Sequence, residues 1–225
     1  NINHNDYGEE FANADYIDSY MASASAHAFF RKVLSGVGIK QNKTLRLLDI
    51  GTGLGTMIET ANEMGFIAEG IDICEPLVER ANARGLKVYC ASAEDFDRSD
   101  AYDVITMLDI IEHVSEPVKL LQSVHRMLKP GGEVIVYTPN YRDIVVEFSK
   151  LLYRFNFKNP ARVIYGANHL CFFDNRTLAF ALNNSGFEIN KSKIFPYFPL
   201  FMRKGMSISL FNSIAISFVE LFGVP

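Results

Sequence analysis

The sequence predicts an α/β fold in which a doubly wound, mostly parallel β-sheet carries helices on both faces. Three observations support this fold class. Short apolar runs alternate five times with helical segments over residues 45–138, as expected for β-α-β units. The connections between these segments are short, which favours neighbouring strands in one sheet. Glycines follow the first two helices of this stretch, where helices commonly end.

The five strands predicted in this part of the chain are short and apolar, which indicates burial on both faces of the sheet. They cover residues 45–50, 68–73, 87–90, 103–108 and 133–138. Helical periodicity predicts helices over residues 56–64, 75–84 and 118–128, the last of them stopped by Pro130-Gly131-Gly132. A further helical region over residues 7–35 precedes the first strand.

The pattern changes after Pro139 and predicts helical cap elements beside the end of the sheet. Helices are predicted over residues 145–155, 175–185 and 206–222, with a sixth strand over 187–195 that Pro196 and Pro199 terminate. No residues then remain for a seventh strand. We therefore divide a single domain into residues 1–140, the N-terminal helices and ligand-binding core, and residues 141–225, the substrate cap and the end of the sheet.

The composition excludes several classes of protein. With 225 residues, 48% hydrophobic and 21% charged, the chain is not disordered. Its three cysteines lie far apart without a C-x-x-C, which argues against a disulfide framework or structural zinc and favours a reducing, cytoplasmic setting. No apolar run reaches the roughly 18 residues of a transmembrane helix.

Charge and aromatic residues are unevenly distributed. Residues 1–140 hold 12 basic and 21 acidic side chains, whereas residues 141–225 hold 10 basic and 5 acidic ones with 17 of the 28 Phe and Tyr residues. The acidic first part argues against a nucleic-acid partner. The basic, aromatic second part favours a small aromatic, anionic or lipid-like ligand, or else packs its aromatic rings internally. Membrane association is not favoured, because residues 206–222 contain no Lys or Arg.

A glycine-rich turn follows the first predicted strand. Glycines allow a ligand to approach the backbone closely, and the next helix presents its N-terminus to anionic groups. The spacing Gly51-x-Gly53-x-Gly55 places Thr56 where the G-x-G-x-x-G dinucleotide fingerprint has its third glycine, which disfavours NAD. Asp72 ends the second strand, where a carboxylate can accept hydrogen bonds from both hydroxyls of a ribose.

Ordered motifs identify a family resemblance. Leu47-Leu48-Asp49-Ile50-Gly51-Thr52-Gly53-Leu54-Gly55 resembles motif I of class I S-adenosylmethionine-dependent methyltransferases, which have a Rossmann-like fold. Further similar blocks lie at residues 92–96, 102–114, 128–134 and 169–187, and the last is similar to a block of ubiquinone- and menaquinone-type enzymes. Five blocks in the family's order cover about residues 45–190.

The resemblance implies S-adenosyl-L-methionine as the cofactor. The methionine half is expected over the glycine loop, the ribose at the second strand and the adenine after the third strand, where Ser92 stands in place of the acidic residue of many relatives. The implied cofactor-binding residues are Asp49, Gly51, Thr52, Gly53, Gly55, Asp72, Ile73, Ser92, Ala93, Glu94 and Leu108.

Methyl transfer to a hydroxyl needs alignment of the two reactants and benefits from a general base. The candidate catalytic residues are His113, His169 and Asp109, with His113 preferred over His169 because it follows the fourth strand at the carboxyl edge of the sheet. Some relatives bind metal through a stretch similar to Asp109-x-x-Glu112-His113. We nevertheless predict no metal, because relatives without a metal share the stretch.

The sequence thus predicts an S-adenosylmethionine-dependent methyltransferase that acts on a small molecule, with a hydroxyl oxygen as the expected methyl acceptor. Two alternatives remain open at this point. One is a non-catalytic S-adenosylmethionine-binding protein, which would keep the glycine loop without a working base. The other is an NAD(P)-dependent oxidoreductase, which the spacing of the loop disfavours.

Overall fold

The fold is a single seven-stranded sheet with helices on both faces, which confirms the predicted α/β class. The computed structural model describes residues 24–38, 44–142, 154, 169–197 and 216–222, with only the backbone for residues 191, 193–197 and 216–222. The helices are α1 Ala24–Leu34, α2 Thr56–Glu63, α3 Glu75–Ala83, α4 Pro117–Met127 and α5 Asn175–Asn184. The strands are β1 Arg46–Ile50, β2 Ile67–Asp72, β3 Val88–Cys90, β4 Tyr102–Leu108, β5 Leu128–Tyr137, β6 Lys191–Tyr197 and β7 Ile216–Phe222.

The strands are arranged in the order β3-β2-β1-β4-β5-β7-β6. The pairs within β1–β5 are parallel, whereas β7 runs antiparallel to both β5 and β6. The order reverses at β1, whose chain continues to β2 on one side while β4 lies on the other. Ligands of open α/β sheets bind beyond the carboxyl ends of the strands at such a reversal. The segments that follow β1 and β4 therefore flank the expected crevice.

Two apolar clusters cover the two faces of the sheet. One joins α1 and α2 to alternate sheet residues such as Leu47 and Val104, and the other joins α4 and α5 to the intervening residues Leu48 and Ile105. All four of these sheet residues are inaccessible to solvent. Burial on both faces is the reason that the strands are continuous apolar runs rather than alternating ones.

Helix boundaries follow local chemistry. Asp174 caps α5 through a capping box, in which its carboxylate accepts hydrogen bonds from the backbone N–H groups of Arg176 and Thr177. Helix α4 ends at Met127, and β5 begins at once with Leu128. The predicted stop at Pro130-Gly131-Gly132 thus lies inside β5, next to a register irregularity between Tyr102 and Val104 of the neighbouring strand.

The seventh strand contradicts our prediction. Ile216–Phe222 forms β7 between β5 and β6, so the helix predicted over residues 206–222 is wrong for these residues, and so is the expectation that no seventh strand exists. Apolar residues at 218 and 221 fit a helical period, but the segment is rich in β-branched and aromatic residues, which fit a strand. Pairing with β5 on one side and β6 on the other decides in favour of a strand, and both partners are distant from β7 in the sequence.

The sixth strand also differs from its prediction. It spans Lys191–Tyr197 rather than residues 187–195, and Pro196 pairs with Ser217 instead of ending the strand. Because β6 is the outermost strand of the described sheet, a missing N–H that faces outward leaves no partner unsatisfied. The predicted helix over residues 145–155, apart from Arg154, and the predicted helical residues 7–23 lie outside the described residues.

Within the described part of the chain, no helix combines the length and the apolar character needed to cross a bilayer.

Removal of β7 should destabilise the sheet. We expect deletion of residues 216–225 to lower the midpoint of thermal unfolding by more than about 5 °C or to make the chain insoluble, because β6 loses the strand to which it is paired. Circular dichroism during heating measures this. Deletion of residues 223–225 alone is the control and should leave the midpoint within about 2 °C; equal midpoints for the two deletions would contradict the role of β7.

Candidate functional site

The glycine loop between β1 and α2 forms one wall of the crevice. The N–H groups of Gly51 and Thr52 both donate to the carbonyl oxygen of Ile71, at 2.9 and 3.1 Å, which ties the loop to β2. Gly51 has φ +70°, and a Cβ there would lie 2.0 Å from Cδ1 of Ile110. Gly53 has φ +53°, but a Cβ there would have no protein atom within 4 Å. The backbone at Gly53 therefore faces open space that a ligand can occupy.

Asp72 connects this loop to the start of α3. Its two carboxylate oxygens accept hydrogen bonds from the N–H groups of Gly53 at 2.8 Å and of Cys74 at 2.9 Å. Burial raises the pKa of Asp72, and these backbone hydrogen bonds oppose the increase. The backbone of Ile73 donates a further hydrogen bond to this carboxylate, so about one of its four lone-pair sites stays free. The carboxylate can thus still accept a hydroxyl group, and its contact with both ribose hydroxyls stays a prediction.

Asp49 lies beneath the loop rather than on its surface. Its side chain is buried and accepts a 2.6 Å hydrogen bond from the hydroxyl of Thr106 on β4. Burial raises the pKa of Asp49 to about 7, although the hydrogen bond from Thr106 favours its charged form. Asp49 therefore couples β1 to β4 below the loop, and its direct contact with a ligand stays a prediction.

The residues after β3 lie at the carboxyl edge of the sheet, on the far side of β2 from the glycine loop. Ala93 is buried and Glu94 is exposed, while Ile73 presents 44% of its surface to solvent. The hydroxyl of Ser92 donates to Oδ2 of Asp95 at 2.7 Å and accepts from the Asp95 N–H at 3.2 Å. Ser92 therefore has one lone pair left for an adenine amino group. The exposed carboxylate of Asp95 is a second acceptor, which was not among the predicted site residues.

The end of β4 turns sharply into the crevice. Asp109 has φ +54°, and its N–H donates to the carbonyl oxygen of Tyr137 at 2.8 Å. The residue is accessible to solvent, yet the surrounding protein raises the pKa of its carboxyl group by desolvation. Leu108 is half-buried beside it and packs against the cluster that contains α1 and α2. Their place at the floor of the site stays a prediction.

Glu112 is a buried junction between three segments. Its backbone oxygen accepts hydrogen bonds from the N–H groups of Leu170 and Cys171 at 2.8 and 2.9 Å. Its Oε2 accepts a 2.8 Å hydrogen bond from the hydroxyl of Thr138, while Oε1 is buried without a hydrogen-bond partner among the described residues. Burial, together with the charge of Asp109, raises the pKa of Glu112.

The structure brings the two predicted histidines together. The rings of His113 and His169 meet edge to face, with centroids 4.7 Å apart. The hydroxyl of Tyr141 forms a hydrogen bond with Nδ1 of His169, and the Tyr141 ring packs edge-on against Phe172. Burial lowers the pKa of His169 to about 4, and the nearby His113 acts in the same direction. His169 is therefore neutral at physiological pH.

The remaining described histidines lie elsewhere. His27 is hydrogen-bonded to Thr60 at 2.8 Å, and His125 packs against Phe187 with ring centroids 5.3 Å apart. Neither joins the crevice.

Glu112 and the two histidines form a cluster of side chains that could also hold a cation. Glu112, His113 and His169 each offer one ligand atom, and these atoms lie within 4.8 Å of one another. One carboxylate and two imidazoles suit divalent transition metals better than Mg²⁺. Our prediction of no metal remains a prediction.

Comparison with known proteins places the chain among proteins of similar sequence and fold. The family model described as "Methyltransferase domain" matches residues 20–192. The ubiquinone biosynthesis O-methyltransferase of Xanthomonas oryzae is 31% identical over 103 residues, which are 42% of this chain and 43% of that enzyme. The enzyme of the same name from Saccharophagus degradans is 27% identical over 163 residues, covering 69% and 68% of the two chains.

One solved structure illustrates the likeness of fold. The 1,6-didemethyltoxoflavin-N1-methyltransferase of Burkholderia thailandensis, crystallised with bound 1,6-didemethyltoxoflavin and S-adenosylhomocysteine, matches with a TM-score of 0.63 at 16% identity. The match covers 98% of this chain and 85% of that protein. At this identity the likeness concerns the fold alone.

Neutralisation of Glu112 should stabilise the protein increasingly as the pH rises. Folding raises the pKa of the Glu112 carboxyl group, so the wild-type protein loses stability as the pH rises toward that raised pKa. A Gln side chain does not ionise and therefore avoids this loss. We expect the free energy of unfolding of Glu112→Gln, relative to wild type, to increase between about pH 5 and pH 9. The gain is about 1.4 kcal/mol for each unit by which folding raises the pKa.

Urea denaturation at several pH values measures this difference. Glu116→Gln, at an exposed site, is the matched control and should show no such trend. A difference for Glu112→Gln that is constant with pH would mean that the Glu112 pKa is not raised.

Proposed function

The chain belongs to the methyltransferase domain family, and we propose that it transfers a methyl group from S-adenosyl-L-methionine to a hydroxyl oxygen of a small molecule. The observation that carries this proposal is the position of the His113–His169 pair. Ile110 packs over Gly51 of the glycine loop, and His113 follows three residues later in the same segment. A cofactor on the loop and a base at this pair would therefore share one crevice.

The loop and its surroundings fit the cofactor. The open space over Gly53 leaves room for the methionine half, and the Asp72 carboxylate next to Gly53 is the acceptor proposed for the ribose. The exposed side chain of Ile73 supplies an apolar surface of the kind on which an adenine ring packs. When bound, S-adenosyl-L-methionine supplies a methyl group on a positively charged sulfur. We infer that Asp109 and Leu108 form the floor beneath that sulfur.

The chain itself must align the methyl acceptor and take its proton. A neutral imidazole can accept the proton of a hydroxyl group, and the cluster holds two imidazoles in contact. Buried surroundings exclude water from Glu112 and partly from His169, which limits competition by solvent. General-base assistance of this kind contributes roughly 10²–10⁴-fold to a rate. Proximity and orientation supply the larger share.

The wall next to the histidines favours an aromatic methyl acceptor. Phe172 and Leu170, in the segment that carries His169, are 49% and 46% exposed, and Tyr141 packs against Phe172. Large exposed apolar side chains beside polar groups are typical of a small-molecule site. Curated relatives are named ubiquinone biosynthesis O-methyltransferases, so we infer a phenolic hydroxyl as the methyl acceptor. Nucleic acid is not a proposed partner.

We also infer a cytoplasmic location. Cys74, Cys90 and Cys171 are all free thiols, and Cys90 is exposed. Unpaired cysteines of this kind are usual where glutathione and thioredoxin keep thiols reduced.

Substitution of Asp72 should weaken cofactor binding. We expect Asp72→Asn to raise the Kd for S-adenosyl-L-methionine by roughly 10–100-fold, because an amide offers one acceptor oxygen in place of two and carries no charge. Isothermal titration calorimetry measures the affinity, and Asp97→Asn at an exposed site is the matched control. An unchanged Kd for Asp72→Asn would refute the ribose assignment.

Methyl transfer itself can be tested without knowledge of the pathway. We expect incubation with S-adenosyl-L-methionine and a panel of catechols, hydroquinones and other phenols to yield products heavier by one methylene. Mass spectrometry detects the gain, and matched anilines test nitrogen as the methyl acceptor. Products from the anilines alone would contradict transfer to oxygen. Failure to bind the cofactor at millimolar concentration would contradict the function as a whole.

A further inference from the structure

Tyr141, His169 and His113 form a chain of contacts that ends at the proposed base. The Tyr141 hydroxyl is hydrogen-bonded to Nδ1 of His169, and the His169 ring meets that of His113 edge to face. Sequence reasoning treated the two histidines as alternative bases. The hydrogen bond with Tyr141 occupies Nδ1 of His169 and leaves Nε2 as the other polar atom of that ring.

Tyr141 is held firmly enough to impose this geometry. Its side chain is 9% exposed, its N–H donates to the carbonyl oxygen of Phe173 at 2.9 Å, and its ring lies edge-on to Phe172. A residue fixed by its backbone and by its ring has little freedom to turn its hydroxyl away from His169. The position of the hydroxyl is therefore set by the protein around it.

The chemistry of the two groups decides which one donates. A phenol is a good hydrogen-bond donor, whereas a neutral imidazole has one nitrogen that accepts and one that carries hydrogen. The favoured arrangement has the Tyr141 O–H donating to Nδ1, which leaves the hydrogen of His169 on Nε2. Burial lowers the pKa of His169, so the ring stays neutral and keeps this division between its nitrogens.

We propose that Tyr141 is a positioning residue that holds His169 as the Nε2–H tautomer, so that His169 donates a hydrogen bond and His113 alone accepts the proton of the methyl acceptor. The second half of this proposal rests on the proposed function, and the first half does not. The Glu112 side chain is the acceptor available for the Nε2 hydrogen, because one of its carboxyl oxygens lies within 4.8 Å of a ring nitrogen of His169. Oε1 of Glu112 lacks a hydrogen-bond partner among the described residues.

The tautomer can be measured directly. In protein labelled with ¹⁵N-histidine, the nitrogen shifts of His169 should indicate an unprotonated Nδ1 and a protonated Nε2 near pH 7.5. Tyr141→Phe keeps the ring that packs on Phe172 and removes the hydroxyl, so the two nitrogens of His169 should shift toward averaged values. A protonated Nδ1 in the wild type, or unchanged shifts in Tyr141→Phe, would overturn the proposal.

A bound cation could also fix the tautomer of His169, so its contribution is tested by a separate experiment. The same spectra are recorded after extensive dialysis against EDTA. Unchanged His169 shifts support Tyr141 as the cause of the tautomer. A change that zinc or manganese ions reverse would show that a cation sets the tautomer, and would overturn the proposal.

Kinetics then test which histidine accepts the proton. We expect His113→Gln to lower kcat by roughly 10²–10⁴-fold. His169→Gln keeps an N–H donor close to the Nε2 position and should lose less than about tenfold. Tyr141→Phe should lower kcat with little change in KM and should alter the pH profile of kcat. Its thermal midpoint, compared with that of wild type, reports whether the fold is intact.

The outcomes separate the two halves of the proposal from the proposed function. If His169→Gln were the more damaging variant, His169 would be the base and the second half would be wrong, although methylation would stand. If no phenol were methylated, the proposed function would fail, and the ¹⁵N spectra would still decide whether Tyr141 sets the tautomer.

Discussion

The buried Glu112 is the constraint on which the rest of the site depends. Its backbone oxygen accepts hydrogen bonds from the N–H groups of Leu170 and Cys171, and its carboxyl group accepts one from the Thr138 hydroxyl at the end of β5. One residue thus joins the ends of β4 and β5 to the segment that carries His169. This junction helps to bring together the two imidazoles, which are 56 positions apart in the sequence.

Desolvation favours the neutral form of both the acidic and the basic groups of the crevice. It raises the pKa of Asp49, Asp109 and Glu112, and it lowers that of His169. Each group is thereby moved toward its neutral form. The proposed cofactor carries a positive sulfur, which would favour ionisation of the carboxyl groups nearest to it. Binding of the cofactor and the charge of the crevice are therefore coupled, since a cation and a proton compete for the same carboxylates.

Local features could be predicted from the sequence, and features made by distant contacts could not. The glycine loop, Asp72 and the first five strands follow from nearby residues, because a parallel strand buried on both faces is a recognisable apolar run. Strand β7 could not be predicted, because its pattern fits a helix until β5 and β6 provide partners. The contact of Tyr141 with His169 likewise depends on the hydrogen bond between Tyr141 and Phe173. The order of the motifs could identify the two histidines as candidate bases but could not assign different roles to them.

The position of β7 between β5 and β6 constrains the order in which the chain can fold. Within the described sheet, β6 is paired only with β7, although β6 is made earlier. On the ribosome, β1–β5 can therefore assemble first, whereas β6 cannot pair until β7 has emerged. Pairings between residues distant along the chain close slowly, because loop entropy must be overcome before the contacts form. Until then the edge of β5 is open to other chains, so this side of the sheet is where misassembly would begin during synthesis.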